Sequence, residues 1–202
     1  MIADRADDLC PWKKSTLLLV STILAIGLLL IVILKTATSK KENAAMTIQL
    51  PSPAFVEGEF IPAKHTCDDE DVSPPLKWTD VPANTKSLAL ICDDPDAPMG
   101  TWVHWVLYGL PPTVAELAEK VPTAETLANG ARQGINDFKR AGYGGPCPPA
   151  GRPHRYFFKL YALDAEIPLK PRATKKELLR AMDGHVLAEG QLMGKYQRRS
   201  VV

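Results

Sequence analysis

The sequence has almost no net charge: 24 Lys and Arg stand against 23 Asp and Glu, a formal +1 over 202 residues. Nucleic-acid binding draws on a strongly basic face, so this class has no general electrostatic support. No C-x-x-C is present among the four cysteines, which excludes a zinc knuckle and a thioredoxin-type redox motif. There is no H-x-x-x-H or similar local histidine pair for a metal, and no G-x-S-x-G nucleophile elbow. Internal repeats and low-complexity tracts are missing as well. Proline, by contrast, is abundant, with 18 residues, roughly 9% against a usual value of about 5%. It lacks an amide proton and fixes φ, so this density cuts the chain into short elements and argues against a helical bundle, coiled coil or helical repeat. Disorder does not follow, since 46% of the residues are hydrophobic, enough to close a core.

Proline is also unevenly placed, with only Pro11 preceding Met46. The stretch Ser15 to Leu34 carries no charge over 20 residues. At about 1.5 Å per residue it spans roughly 30 Å, the thickness of a bilayer's hydrocarbon core. It reads as a single-pass membrane anchor behind a short tail, residues 1–14. A cleaved signal peptide is the rival, because Lys13 and Lys14 precede the apolar run, but the run is long for that role and no clean small-x-small site follows. Three basic residues lie on each side of the span (Arg5, Lys13 and Lys14; Lys35, Lys40 and Lys41), so the positive-inside rule decides nothing. A short tail ending in two lysines has the form of a signal anchor, which places the C-terminal bulk outside the cytoplasm. Residues 35–45 are small and polar, a linker. The folded domain is expected over 46–202, and a second start at Met46 would yield a soluble form. Six of the basic and four of the acidic side chains precede Met46, leaving the domain at −1. It retains Cys67, Cys92 and Cys147; one disulfide plus one thiol and three thiols are both open.

Ser87–Cys92, Trp102–Tyr108 and Arg155–Leu163 read as strands, being short, apolar and rich in β-branched or aromatic residues. Strict alternation puts Trp102, His104, Val106 and Tyr108 on one face of the second, and Val103, Trp105 and Leu107 on the other. In the third, Tyr156, Phe158 and Leu160 share a side. Thr174-x-x-Glu177 is a capping box that predicts a helix over about 175–183, stopped by Gly184; Thr113-x-x-Glu116 predicts a shorter one ending near Pro122. A last strand is expected over 185–196. The pattern predicts a mainly β domain of packed antiparallel sheets with few helices.

Three segments mix polar groups with rigid turns: His65–Trp78, Asp93–His104 and Gly142–Tyr156. In DPDAP two prolines fix the backbone around Asp94 and Asp96, so those carboxylates have little entropy left to lose on binding. His104 follows in a buried strand, where its ring N–H needs a partner, and a nearby aspartate is an obvious one. The GGP run frees backbone amides, and His154 and Tyr156 share a strand face. Together these groups suit a small anion pocket. Each has a plainer reading: DPDAP alone is commonly a rigid turn, and a buried histidine a satisfied core residue. A metal site on Asp94, Asp96, His104 and His154, and a hydrolase built on Cys147–His154 or Ser73–His104, are the other chemistries these residues allow.

The three segments resemble the phosphatidylethanolamine-binding protein (PEBP) family, and within it the bacterial and archaeal Raf-kinase-inhibitor-like branch. CDDEDVSPPLKW at 67–78 is similar to C-D-G-x-x-x-S-P-P-L-x-W, DPDAPMGTWVHW at 94–105 to D-P-D-A-P-x-G-x-x-x-H-W, and GYGGPCPPAGRPHRY at 142–156 to G-Y-x-G-P-x-P-P-x-G-x-x-H-R-Y. The ending at 185–198 is similar too. The resemblance implies a large antiparallel sheet packed on a smaller one, and a cavity for phosphate or a phosphate-ester head group. It assigns the ligand-binding positions to Asp94, Asp96, His104, Gly145, Pro146, Pro149, His154 and Tyr156. It implies no cofactor, and leaves a kinase or peptidase partner at the pocket rim as the alternative. Asp69 stands where the motif has glycine, and Arg152 adds a cation near the pocket.

Overall fold

A computed structural model describes residues 46–198. The proposed anchor at 15–34, its tail and its linker lie outside the described residues, and among those described no helix is long and apolar enough to cross a membrane.

The strands are β1 (Met46–Thr47), β2 (Leu76–Lys77), β3 (Ser87–Asp94), β4 (Trp102–Leu110), β5 (Glu116–Leu117), β6 (Arg132–Gln133), β7 (His154–Leu163) and β8 (Val186–Tyr196), with helix α1 at Lys175–Met182 and a 3-10 turn at Ala63–His65. Six strands form one sheet in the order β1-β8-β7-β3-β4-β6, and β2 pairs with β5 in a second, two-stranded sheet. All pairings between these strands are antiparallel except the short β1–β8 edge, which is parallel. The fold is mainly β with few helices, in line with the sequence pattern.

β3 lies between β4 and β7 with both faces covered, and all eight of its residues are buried. That is why its sequence is continuously apolar from Leu88 to Cys92. On one face Leu88, Leu90 and Cys92 join Trp105, Leu107, Phe158 and Leu160 in a core that Leu76, Trp78 and Leu117 complete from the β2/β5 side. On the other, Ala89, Ile91, Val106 and Tyr108 pack with Leu178 and Met182 of α1. These two helix residues are four apart, one turn along the same face. The predicted capping box is formed: Thr174 Oγ1 accepts from the Glu177 amide at 3.2 Å, and Glu177 accepts from the Thr174 amide at 2.8 Å.

Two expectations fail, each for a local reason. The Thr113 capping box starts no helix. The carbonyls that such a helix would use internally are taken by Trp78, whose amide donates to Ala115 O (3.0 Å) and whose indole donates to Val114 O (2.9 Å). The chain instead turns at Pro111–Val114 and enters β5, where Leu117 pairs with Leu76. Strict alternation along β4 also fails. Cys92 pairs with Trp105 but Asp93 pairs with Val103, so His104 is the extra residue of a β-bulge. A second irregularity passes Gly109, whose φ of +68° suits glycine. The first bulge switches faces: Trp105 and Leu107 stay in the β2/β5-side core, Val103 packs toward α1, and Trp102 and His104 line one space together with Asp94.

Candidate functional site

At the end of the sheet where β3 stops and β7 begins lies a cavity of about 210 Å³. Asp94 is the last residue of β3, His104 the bulge residue of β4, and His154 and Tyr156 share one face at the start of β7. All four line the cavity, with Trp102, Phe138 and Pro149. A bulge re-aims one side chain while the rest of the strand keeps its pairing, a use common beside functional sites.

Asp94 is buried and both of its oxygens are engaged: Oδ1 accepts from the Asp96 amide at 2.7 Å, and Oδ2 accepts from His154 Nδ1 at 2.8 Å. The second contact fixes the imidazole ring and leaves His154 Nε2 for the cavity. His104 Nδ1 donates to Gly144 O at 2.6 Å, and the Gly144 amide returns a bond to His104 O at 3.0 Å. Burial pushes the His104 pKa below its ordinary 6.5, although the Gly144 carbonyl and the Asp94 charge pull the other way. Its ring stands edge-on to Tyr156 and Phe138, with centroids 5.1 and 5.4 Å away. The Tyr156 hydroxyl and the Trp102 indole N–H are buried with no partner of ordinary hydrogen-bond geometry. Burial, and then the Asp94 charge, drive the Tyr156 pKa upward, so its oxygen keeps its proton.

Asp96 does not line the cavity. Arg155 clamps it with two side-chain bonds of 2.8 Å and a backbone bond of 3.0 Å, which lowers its pKa to about 2. Its role is to tie the DPDAP loop to the start of β7. Gly145 and Pro146 also stand behind the wall. The Gly145 amide donates to Asp71 Oδ1 at 2.6 Å, and a Cβ at Gly145 would lie 2.5 Å from His65 O, so only glycine fits. Pro146 O accepts from the Cys67 amide at 3.1 Å. A disulfide joins Cys67 to Cys147 across 80 residues of sequence and fastens the same loop to the cavity wall. Cys92 is a buried thiol. Asp69 needs no left-handed backbone, which Asp71 supplies instead with φ 57°. Arg152 is exposed and outside the lining, and its charge acts on Asp96.

The structure therefore gathers Asp94, His104, Pro149, His154 and Tyr156 around one space, and puts Asp96, Gly145 and Pro146 in its supporting wall. Sequence reasoning missed Trp102, Phe138 and Met99, which also line it. Trp102 was legible only as strand packing, because the bulge that brings it to the cavity has no sequence signal. A larger hollow of about 620 Å³ lies on the α1 side. Several of its polar groups are occupied: Lys175 pairs with Asp93, Asp137 accepts from the Val103 amide, and Thr174 caps the helix. Buried donors without partners are found at the smaller cavity, which makes it the better candidate.

Residues 51–197 match the family model of the phosphatidylethanolamine-binding proteins. The chain belongs to this family. A UPF0098 protein of Methanothermobacter thermautotrophicus is 53% identical over 151 residues, covering 75% of this chain and 99% of its own length. One from Aquifex aeolicus is 50% identical over 149 residues, 73% of this chain and 86% of its own. Among solved structures, a PEBP homologue of Chlamydia trachomatis superposes with a TM-score of 0.69 at 44% identity, over 75% of this chain and 98% of its own. An E. coli protein described as a new member of the mammalian PEBP family does so at 0.68 and 34%, over 75% and 99%. The PEBP family model thus reaches from just after β1 to just past the end of β8.

Proposed function

We propose that this PEBP-family protein is a non-catalytic, regulatory binding module. Its cavity captures phosphate or an anionic phospho-head group, and residues 15–34 tether it to a membrane. The observation that carries the reading is a buried indole donor without a partner, Trp102 Nε1–H, in one cavity with the Tyr156 hydroxyl and a histidine backed by Asp94. Each unpaired donor costs about 1–3 kcal/mol when kept from water, a cost that a ligand oxygen recovers. The lining holds no Ser or Thr, and the Cys147 sulfur is tied up in the disulfide, which supports binding over nucleophilic catalysis. Millimolar phosphate should raise the melting temperature of the protein, and His154→Ala should remove the rise; an unchanged wild-type melting temperature would count against the reading.

The disulfide supports placing the domain outside the cytoplasm, because such bonds persist in oxidising compartments. Labelling intact cells with a membrane-impermeant thiol reagent after mild reduction tests this: Cys67 and Cys147 should react only if the domain faces outward. A second reading is favoured by one feature, Met99, which sits at the cavity rim with 93% of its surface exposed. An exposed methionine beside a pocket suits docking of a protein such as a kinase or peptidase. Retention of a partner by His154→Ala and its loss in Met99→Asp would favour the rim over the cavity.

A further inference from the structure

We infer that the hollow on the α1 side of the sheet is a docking groove for an acidic peptide segment of a partner protein, one that carries apolar side chains between its carboxylates. The groove has a volume of about 620 Å³. That lies within the roughly 300–1,000 Å³ of clefts that enclose organic ligands, and one small ion would leave most of it empty. Its floor is apolar. Val103 of β4 and Ile135 after β6 are half-buried there, and Leu179 of α1 is 41% exposed. The helix spends Leu178 and Met182 on the core and leaves Leu179 facing the groove.

The rim carries the charge. Lys139, Lys175, Lys176 and Arg180 line the groove against two carboxylates, Asp137 and Asp183, in a domain whose net charge is −1. Lys175 is held by the buried Asp93, and Asp137 accepts from the Val103 amide at 2.7 Å. Lys139, Lys176 and Arg180 enter no ion pair among the described residues. Glu177, on whose carboxyl Arg180 acts, is taken by the Thr174 cap. Lys176 and Arg180 are four apart, one turn along the same side of α1, while Lys139 comes from the turn after β6. A cationic rim around an apolar floor complements a segment in which acidic and apolar residues alternate. A bilayer surface fits less well, because a plane of head groups would meet the rim and leave Val103 and Ile135 uncovered beneath it. Groove and cavity share a wall: Thr101, Val103, Asp137 and Lys139 line the groove, and the intervening Trp102 and Phe138 line the cavity. Lys176 and Arg180 line the groove and not the cavity, so replacing them leaves the cavity residues in place.

The test is fluorescence anisotropy with the full chain in phosphatidylcholine nanodiscs and a labelled peptide EELEELE, with QQLQQLQ as the uncharged control. The wild type should bind EELEELE at least about tenfold more tightly than QQLQQLQ, an advantage that shrinks as salt rises from about 0.05 to 0.5 M. The Lys176→Glu, Arg180→Glu double variant should lose about tenfold in affinity for EELEELE and gain affinity for KKLKKLK. Lys139→Asn, on a separate segment, should weaken EELEELE binding by about threefold, and an unchanged melting temperature in each variant shows the fold intact. Equal binding by the double variant and the wild type, or no preference for EELEELE over QQLQQLQ, overturns the proposal. It falls equally if the double variant instead blocks self-association or capture of phosphatidylglycerol vesicles, which would assign this face to a second copy or to lipid. None of these outcomes depends on phosphate binding in the cavity.

Discussion

Asp93 and Asp94 are neighbours on β3, equally buried at 2% and 3% exposure, and they face opposite sides of the same sheet. Asp93 looks toward α1 and is held by two ammonium groups, Lys159 at 3.2 Å and Lys175 from the first turn of the helix. Asp94 looks toward the cavity and is held by a backbone amide and by the imidazole of His154. The two lysines close the Asp93 side and stitch helix to sheet. The imidazole has a second nitrogen, so the Asp94 side passes its polarity on to whatever fills the cavity. Burial of a carboxylate says little about function; what its partner can still do says a good deal.

The comparison is broken most directly by neutralising each aspartate in turn. Asp94→Asn should weaken phosphate binding by up to about a hundredfold, because His154 then lacks the carboxylate that orients it. Asp93→Asn should leave the phosphate Kd within about threefold and lower stability by about 2 kcal/mol in urea unfolding. That is less than the usual 3–5 kcal/mol for a fully buried pair, because both lysines keep some contact with water. Loss of binding in Asp93→Asn would mean that the two faces are not separate.

Opening the disulfide comes next. The Cys67→Ser, Cys147→Ser double variant frees an 80-residue loop and should cost about 3 kcal/mol, with weaker phosphate binding because Cys147 stands in the wall. Tyr156→Phe follows, with an expected tenfold loss of affinity, about 1.4 kcal/mol. Stability should change by less than about 1.5 kcal/mol, since the ring stays in place and only the hydroxyl is removed. A Tyr156→Phe protein that binds phosphate as well as wild type would take the hydroxyl out of the site.

The smallest expected effect concerns Asp96, whose carboxyl Arg155 holds at about 2 against an ordinary 3.8. A depressed carboxylate stabilises the fold at pH values above its unfolded pKa and loses that contribution as pH falls through its folded one. The Asp96–Arg155 contribution should therefore be complete above about pH 4 and disappear toward pH 2. Asp96→Asn should flatten that part of the stability curve. An unaltered acid limb in Asp96→Asn would show that the clamp carries no linkage.

The strands and α1 were legible because their signals are local: Tyr156, Phe158 and Leu160 alternate, and Thr174 with Glu177 caps the helix within one turn. Where a residue's conformation is decided by a distant partner, the sequence was silent or misleading. Thr113 has the same capping signature as Thr174, yet Trp78 takes the carbonyls and draws the segment into β5. The bulge at His104 depends on how β3 and β4 pair, so alternation assigned Trp102 and His104 to the face of Val106 and Tyr108. The pairing of Cys67 with Cys147 could not be chosen among three cysteines. For the cavity, motif residues pointed to the right neighbourhood, but they could not separate Asp94, which lines it, from Asp96, two residues on, which Arg155 removes.

The central claim is that Asp94 acts through His154 on a ligand in the cavity. Isothermal titration of the full chain with inorganic phosphate, alongside His154→Ala, tests it most directly. The account predicts one site per chain in the wild type and no measurable heat in the variant; equal binding by both proteins, or no binding by the wild type at millimolar phosphate, would contradict it.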